Sequence, residues 1–280
     1  MPELPEVEVL ARRLRPLLRG KTIRSVSVSR PRATRPTHPA DFQKALTGAK
    51  FGNVLRRGKY FLFELHLKKS KKPLTVLGHL GMTGRMFLAL KKEKPPKHAA
   101  IIFDLGSHNF VYEDWRYFGR MSLDLSPIEA LGREPEDLKP EAFAQSLKSS
   151  RQPIKVKLLD QGLIAGVGNI YASEALYLAR ISPKLPANRL TLVQVRELLR
   201  AIRVILKEAI KFGSTVPLKT TSDKSDALFY FSEESGGFTA ERLRVYDRAG
   251  KPCLRCGTEI ERIIQAARST FFCPHCQRLH

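Results

Sequence analysis

Acidic residues are scarce in this 280-residue chain. Asp and Glu total 27 against 49 Lys and Arg, which leaves a net charge of +22. From Val9 to Ala40 nine basic residues stand with no acidic one among them. An enzyme for neutral or cationic small molecules does not need such an excess, whereas a polyanion does. Nucleic acid is the first candidate, because Lys and Arg on phosphates release condensed counterions. For the run at 9–40, a merely solvated basic face is the competing reading. Long hydrophobic runs are also missing. No apolar stretch approaches the ~18 residues of a membrane span, and the N-terminus carries no signal-peptide core. Cysteine is rare: all four lie between positions 253 and 276, which excludes a disulfide framework spread over the chain. We therefore expect a cytoplasmic protein in a reducing compartment, with no membrane partner. No internal repeat is visible.

The length suffices for two domains, each with a core. Residues 3–19 carry Val7, Leu10, Leu14 and Leu17 at helical spacing, and Gly20 suits a C-cap. From Thr22 to about Leu123 the pattern is strand-like, with apolar runs at 23–28, 60–65, 74–77, 101–103 and 110–112 between Gly, Pro, Ser and Lys clusters. Short strands so spaced predict a sandwich or barrel. After Leu125 the period changes. Residues 140–149, 176–179 and 192–212 read as helices, the last with Val195, Leu198, Leu199, Ile202, Leu206 and Ile210 in one stripe. Residues 214–237 are polar and irregular, a long loop.

Cys253-x₂-Cys256 and Cys273-x₂-Cys276 are separated by 16 residues. That spacing fits four thiolates on one tetrahedral structural Zn²⁺. Two disulfides, or four free thiols, are the alternatives. The segment Thr258–Phe272 is long enough for a hairpin that carries Arg268 outward. His275 and His280 are surplus once four thiolates close the site. Such a ribbon does not by itself specify a function.

Two other stretches carry chemistry. Removal of Met1 from Met1-Pro2-Glu3-Leu4-Pro5-Glu6 would leave a prolyl secondary amine at the start of the chain. An α-amine titrates near ~8 against ~10.4 for lysine, an advantage in free base of about several hundredfold at neutral pH. Attack of a secondary amine on a sugar C1′ yields an iminium ion, covalent catalysis of the Schiff-base kind. The competing reading is a helix start, with prolines in the first turn and Glu3, Glu6 and Glu8 at its positive end. The second stretch runs from Asp160 to Glu174 and contains Gly166-Val-Gly168-Asn169. Its glycines permit close backbone approach, and a helix starting after them would expose N–H groups suited to phosphate. The spacing is not the dinucleotide fingerprint, and a structural turn is the competing reading.

In order along the chain stand PELPEVE, Arg57-Gly-Lys59-Tyr60, His79-Leu-Gly-Met82-Thr-Gly84, Asp114-Trp-Arg116-Tyr-Phe118-Gly119, Ile154-Lys155, Gly166-Val-Gly-Asn-Ile-Tyr-Ala-Ser-Glu174 and the four-cysteine finger. This series resembles the formamidopyrimidine-DNA glycosylase family, the Fpg/Nei superfamily, over essentially the whole chain. PELPEVE looks closer to its purine-lesion branch than to its endonuclease VIII branch. The resemblance implies base-excision repair by a bifunctional DNA glycosylase and abasic-site lyase. Such an enzyme removes 8-oxoguanine and formamidopyrimidines from duplex DNA, then breaks the strand by β,δ-elimination. On this resemblance Pro2 attacks C1′, Glu3 is the neighbouring acid and Glu6 helps to hold the site, unless it is only a buried cap. Lys59 contacts phosphate and supports elimination, and Arg268 donates a proton in its second step. Met82, Arg116 and Phe118 match the residues that fill the gap of a flipped nucleotide, with Arg116 facing the orphaned cytosine. Without the resemblance Met82 and Phe118 would read as core. His98, Lys155, Asn169 and Arg268 match a phosphate clamp, with Gly168 beside it. Glu174 is a further carboxylate, near the site or structural.

The implied fold is α+β: an N-terminal β-sandwich with flanking helices (1–125), a helical domain with a helix–two-turn–helix element and a lid loop at 214–237 (126–240), and a four-cysteine zinc finger (241–280). One structural Zn²⁺, a monomer, a nucleoid setting and double-stranded DNA with oxidised bases or abasic sites go with it. Two departures stand out. The stretch between Thr215 and Phe238 is longer than the family's lid and contains Phe229-Tyr230-Phe231, and Trp115 and Tyr117 replace the usual proline and arginine. An oxidised-pyrimidine glycosylase of the endonuclease VIII type therefore stays open. So does, from another class, a catalytically inert zinc-ribbon protein that binds lesion DNA. A retained Met1 would block Pro2.

Overall fold

The computed structural model of the chain describes residues 2–68, 70–212 and 243–279, together with the backbone at 218–219 and 230–231. Two compact bodies emerge. The first holds Pro2 and Glu6–Glu129; the second holds Glu3–Pro5 and the described residues from Ala130 to 212 and from 243 on.

In the first body, α1 (Leu4–Leu18) buries Val7, Leu10, Ala11, Leu14 and Leu18 along one face. Leu18, not Leu17, is the last fully buried position, as a 3.6-residue period from Val7 requires. Gly20 follows with φ +81°, the left-handed value favoured just past a helix end. Eight strands then form two antiparallel sheets. One has the order β1 (Ser25–Val28), β6 (Ala99–Asp104), β7 (His108–Glu113), β5 (Arg85–Leu90); the other has β2 (Lys50–Arg57), β3 (Tyr60–His66), β4 (Leu74–His79), β8 (Arg120–Ser122). Alternate residues of β3 are buried, Phe61, Phe63 and Leu65 among them. The sheets pack face to face through aromatic rings. Phe51 meets Phe103 and Phe110 edge-on at 6.3 and 6.1 Å, and Phe63 meets Phe110 at 5.7 Å. This is the expected sandwich.

Helix α2 (Pro39–Leu46) interrupts the stretch that reads as strands. His38 accepts the Ala40 N–H, Pro39 fills the first position, and Phe42 and Leu46, four apart, bury against the sandwich. A short α3 (Ser126–Glu129) closes the body.

The second body is helical, with α4 (Pro140–Leu147), α5 (Ile154–Lys157), α6 (Asn169–Leu178) and α7 (Leu192–Lys211). Helix α6 is longer than the residues 176–179 read from periodicity, because every position from Tyr171 to Tyr177 is buried. A helix buried all round shows no stripe. Helix α7 starts at a reciprocal capping box between Thr191 and Gln194; Val195, Leu198, Leu199, Ile202 and Leu206 of the expected stripe are buried, with Ile205 beside them, while Ile210 is half-buried. Two short paired strands, β9 (Leu218–Lys219) and β10 (Tyr230–Phe231), are described within the expected lid; the rest of residues 214–237 lies outside the described residues. The C-terminal hairpin pairs β11 (Glu261–Gln265) with β12 (Arg268–Phe272), Gln265 opposite Arg268. Its two turn residues, Ala266 and Ala267, sit at φ +47° and +57°. A two-residue turn of this hand needs positive φ at both positions, and alanine there is strained. Among the described residues no helix is long and apolar enough to cross a membrane.

Candidate functional site

The first body carries Pro2, Glu6, Lys59, Met82, His98, Arg116 and Phe118. Pro2 is buried, and Glu6 is fully buried in the first turn of α1. Lys59 owes its place to a two-residue hairpin turn. Arg57 pairs with Tyr60, and Gly58 between them takes φ +57°, which swings the backbone back at once. The Lys59 side chain is almost wholly buried. His79, whose ring tilts 4.7 Å from Tyr60, is held down to a pKa of about 4 by burial, by the Lys59 and Arg120 cations, and against a small opposing pull from Asp114. It is therefore neutral at pH 7 and accepts the Gly81 N–H through Nδ1 at 3.0 Å.

Met82, Arg116 and Phe118 lie on two strand connections locked together by one buried carboxylate. Asp114 accepts the Thr83 hydroxyl at 2.6 Å from the Met82 loop, and the Arg116 and Gly119 N–H groups at 3.2 and 2.8 Å from its own. Gly81, at φ +63°, lies so close that an added Cβ would fall 2.5 Å from the Gly119 nitrogen. Met82 and Phe118 are 45% and 47% exposed, so they are not core residues. The Arg116 guanidinium sits 4.8 Å from the Phe118 ring centre and 5.8 Å from that of Trp115. His98 holds its loop through a carbonyl that accepts the Asp114 N–H, and its buried Nδ1 has no partner among the described residues.

The second body carries Glu3, Lys155, Gly168, Asn169, Arg268 and the cysteines. Glu3 is 2% exposed and accepts the N–H of Ile170 at 2.9 Å and, more distantly, that of Tyr171 at 3.4 Å. These are the unsatisfied donors at the positive end of α6, where a carboxylate is favoured. Glycine makes the approach possible: a Cβ at Gly168 would fall 2.6–2.7 Å from the Glu3 carboxylate oxygens. Gly166, at φ +89°, accepts the Leu4 N–H at its carbonyl and would clash with the Leu4 side chain if it carried one. Gln161, which the sequence reading passed over, braces this turn through Gly166 N and Val167 O at 2.9 and 2.8 Å.

Lys155 is fully buried, donates to the Asn169 side-chain oxygen, and shares the Ser269 carbonyl with the Asn169 amide. Burial and the Arg268 cation bring its pKa down to about 8, against an opposing pull from Glu3. Arg268 itself is exposed at the start of β12. Lys155, Asn169, Glu3 and the hairpin base thus come together, though more than a hundred residues separate Lys155 from Ser269 in sequence.

Glu174 is structural. Its buried carboxylate accepts the N–H groups of Arg244, Val245 and Tyr246 at 2.9–3.0 Å, tying α6 to the chain that enters the finger. The cysteine donor set fits a tetrahedral zinc. All four sulfurs lie within 4.8 Å of one another, and thiolates ~2.3 Å from one ion would stand slightly under 4 Å apart. The Tyr177 hydroxyl lies 3.2 Å from Cys253 Sγ, a support of the kind that orients metal ligands.

Comparison with known proteins covers the same stretches. Three family models match in order: the formamidopyrimidine-DNA glycosylase N-terminal domain over residues 1–121, the H2TH domain of that glycosylase over 131–220, and a zinc finger found in FPG and IleRS over 250–279. A formamidopyrimidine-DNA glycosylase of Chloroflexus aurantiacus is 40% identical over 288 residues, covering 99% of this chain and 98% of the relative. A mutant of the Lactococcus lactis FPG, solved with Fapy-dG containing DNA, superposes with a TM-score of 0.86 at 34% identity over 99% of this chain and all of that one. The wild-type Lactococcus lactis Fpg (MutM) with an oxidised pyrimidine containing DNA gives 0.85 at 34% identity over the same shares.

Proposed function

The chain belongs to the formamidopyrimidine-DNA glycosylase family, a DNA glycosylase of base-excision repair with a structural zinc finger, and from that premise we propose that it excises oxidised purines through its N-terminal proline and then cleaves the strand. With Met1 removed, the Pro2 nitrogen attacks C1′ of a flipped 8-oxoguanine or formamidopyrimidine nucleotide and displaces the base. The C1′–O4′ bond then breaks, O4′ taking up a proton, and the iminium so formed acidifies the C2′ protons, so that β- and then δ-elimination expel the 3′- and 5′-phosphates and release the sugar. The observation that carries this reading is Glu3. Its carboxylate follows the amine directly in sequence and is fixed by the first N–H groups of α6, in a space that only glycine at 168 leaves open. A group so held keeps its position as the sugar opens. Glu6 holds the start of the chain from within α1.

Lys59, His98, Lys155, Asn169 and Arg268 meet the phosphates around the lesion, with the backbone at Gly168. Three observations support them: the His98 Nδ1 without a partner among the described residues, the Lys155–Asn169 pair and the exposed Arg268. Lys59 and Arg268 also serve elimination. Met82, Arg116 and Phe118 enter the gap, and their exposure supports that role. The zinc holds the finger and supplies no chemistry to the reaction. We take the protein to act as a monomer on double-stranded DNA at the nucleoid, in the cytoplasm. An oxidised pyrimidine is a second substrate class to test, since the Lactococcus lactis relative was solved with DNA containing one.

Borohydride trapping tests the proposal. Wild type mixed with a duplex carrying 8-oxoguanine opposite cytosine is expected to give a covalent protein–DNA band. Pro2→Gly and protein with Met1 retained should give none above background. A band with an oxidised-pyrimidine duplex alone would move the assignment to that branch, and unimpaired binding with no band on any duplex would leave an inert lesion-binding protein.

A further inference from the structure

We propose that Trp115 is a further base-contacting residue, stacking on a base at the gap left by the flipped nucleotide while it brackets Arg116 together with Phe118. This rests on the reading of Met82, Arg116 and Phe118 as gap-filling residues. Trp115 is the one tryptophan of the chain. The largest apolar side chain available is ordinarily buried for most of its area, yet Trp115 is 47% exposed, as are Met82 and Phe118 within two points. Three exposed apolar side chains on two connected loops form a patch of the kind that marks a binding surface.

Geometry limits what Trp115 can do instead. The residue before it is buried Asp114, whose carboxylate grips Arg116 N and Gly119 N, so both ends of the loop are fixed. Between Arg116 and Phe118, Tyr117 takes φ +55°, and the Arg30 guanidinium lies 5.2 Å from its ring centre. These contacts fix the backbone on both sides of Trp115. The Arg116 guanidinium has Phe118 at 4.8 Å and Trp115 at 5.8 Å. A guanidinium held by aromatic rings keeps its in-plane N–H donors for a base edge. A ring that stacks on bases is tolerant of which base it meets, since every base has a π-face. The chemical class recognised is therefore an unpaired base, or the base stacked beside it, in a duplex that has lost one partner.

The experiment uses Trp115 as its own reporter. Wild-type protein is titrated with a duplex carrying a tetrahydrofuran abasic analogue opposite cytosine, and with the same duplex undamaged, while tryptophan emission is followed. The gap duplex is expected to quench emission at least about twofold more than the undamaged one. Trp115→Ala should weaken binding of the gap duplex about tenfold, with affinity for undamaged duplex within about twofold of wild type, and Trp115→Phe should restore most of the loss. Equal quenching by the two duplexes, or wild-type gap affinity in Trp115→Ala, overturns the proposal. Phe118→Ala separates the two levels. If that variant loses its preference for the gap while Trp115→Ala keeps it, the Trp115 proposal falls and the reading of the loops stands. If neither variant loses it, both fall.

Discussion

The two bodies hold their site residues in opposite ways. In the first, the side chains proposed for the gap are exposed and touch little, and rigidity comes from the loops beneath them: Asp114 binds both loops, and Gly81 lets them touch. In the second, Glu3 and Lys155 are buried and held directly, Glu3 by the N–H groups of α6 and Lys155 by Asn169 and the Ser269 carbonyl. An apolar side chain that must enter DNA cannot be braced by neighbours, since they would occupy the space it has to leave. A charged group that must meet one atom of the sugar or one phosphate gains from being braced, because small displacements cost large factors in rate. The contrast explains why both regions depend on glycines that no side chain could replace.

The sharpest way to break the buried arrangement is Gly168→Ala. The new methyl would displace the Glu3 carboxylate. We expect single-turnover base excision to fall about a hundredfold, with a loss of ~1–3 kcal/mol in stability from overpacking. Gly162→Ala is the control, because its Cβ would meet nothing closer than Asp160 Oδ1 at 3.3 Å. Wild-type excision by the Gly168 variant would show that Glu3 need not stand where it does.

A smaller effect follows in the exposed arrangement from Asp114→Asn. Its amide NH₂ would face an N–H group, and a buried donor left unsatisfied costs ~1–3 kcal/mol. Preference for an abasic over an undamaged duplex should fall about tenfold, with Thr83→Val, which removes one bond of the three, falling less. Unchanged discrimination in both variants would mean that the loops are positioned by something other than the carboxylate.

The mildest effect is one of pH. Lys155 in the free protein loses its proton near pH 8, and a nearby phosphate would hold that proton on. Binding above that pH then takes up a proton, so affinity for the gap duplex should fall as pH rises, about threefold between 7.5 and 8.5. Stability runs the other way. The folded pKa lies below the unfolded value of 10.5, so the unfolded chain binds more protons between about 8 and 10.5, and stability rises with pH across that window. Lys155→Arg, which stays charged, should flatten the affinity profile; a slope that survives the substitution would assign the proton elsewhere.

What the sequence discloses depends on how local the physics is. The zinc ligands are legible from spacing because each Cys-x₂-Cys pair is a local turn. The stripe of α7 is legible because one face is wet. Helix α6 is mostly hidden because it has no wet face, and α2 is hidden among strands although Pro39, Phe42 and Leu46 carry its signal. The partners of Glu174, and the Ser269 carbonyl that Lys155 reaches, lie at sequence separations of 70–114 residues, and no local pattern records such a pairing. Asp114 appears in the sequence as one letter in a segment of resemblance. Its part in joining two loops emerges once the pairing of β4 with β8 and of β5 with β7 brings those loops side by side.

The hairpin of the finger has a consequence for how this chain can drift. Gln265 stands opposite Arg268 across a turn of two alanines whose conformation neither prefers. Substituting either by glycine or asparagine relieves strain and leaves the pairing as it is. Deleting or inserting one residue does not: a shift of one moves every following side chain of β12 to the opposite face, and the arginine with them. Changes to glycine or asparagine at this tip are therefore tolerated, while its length is a quantity that selection must count.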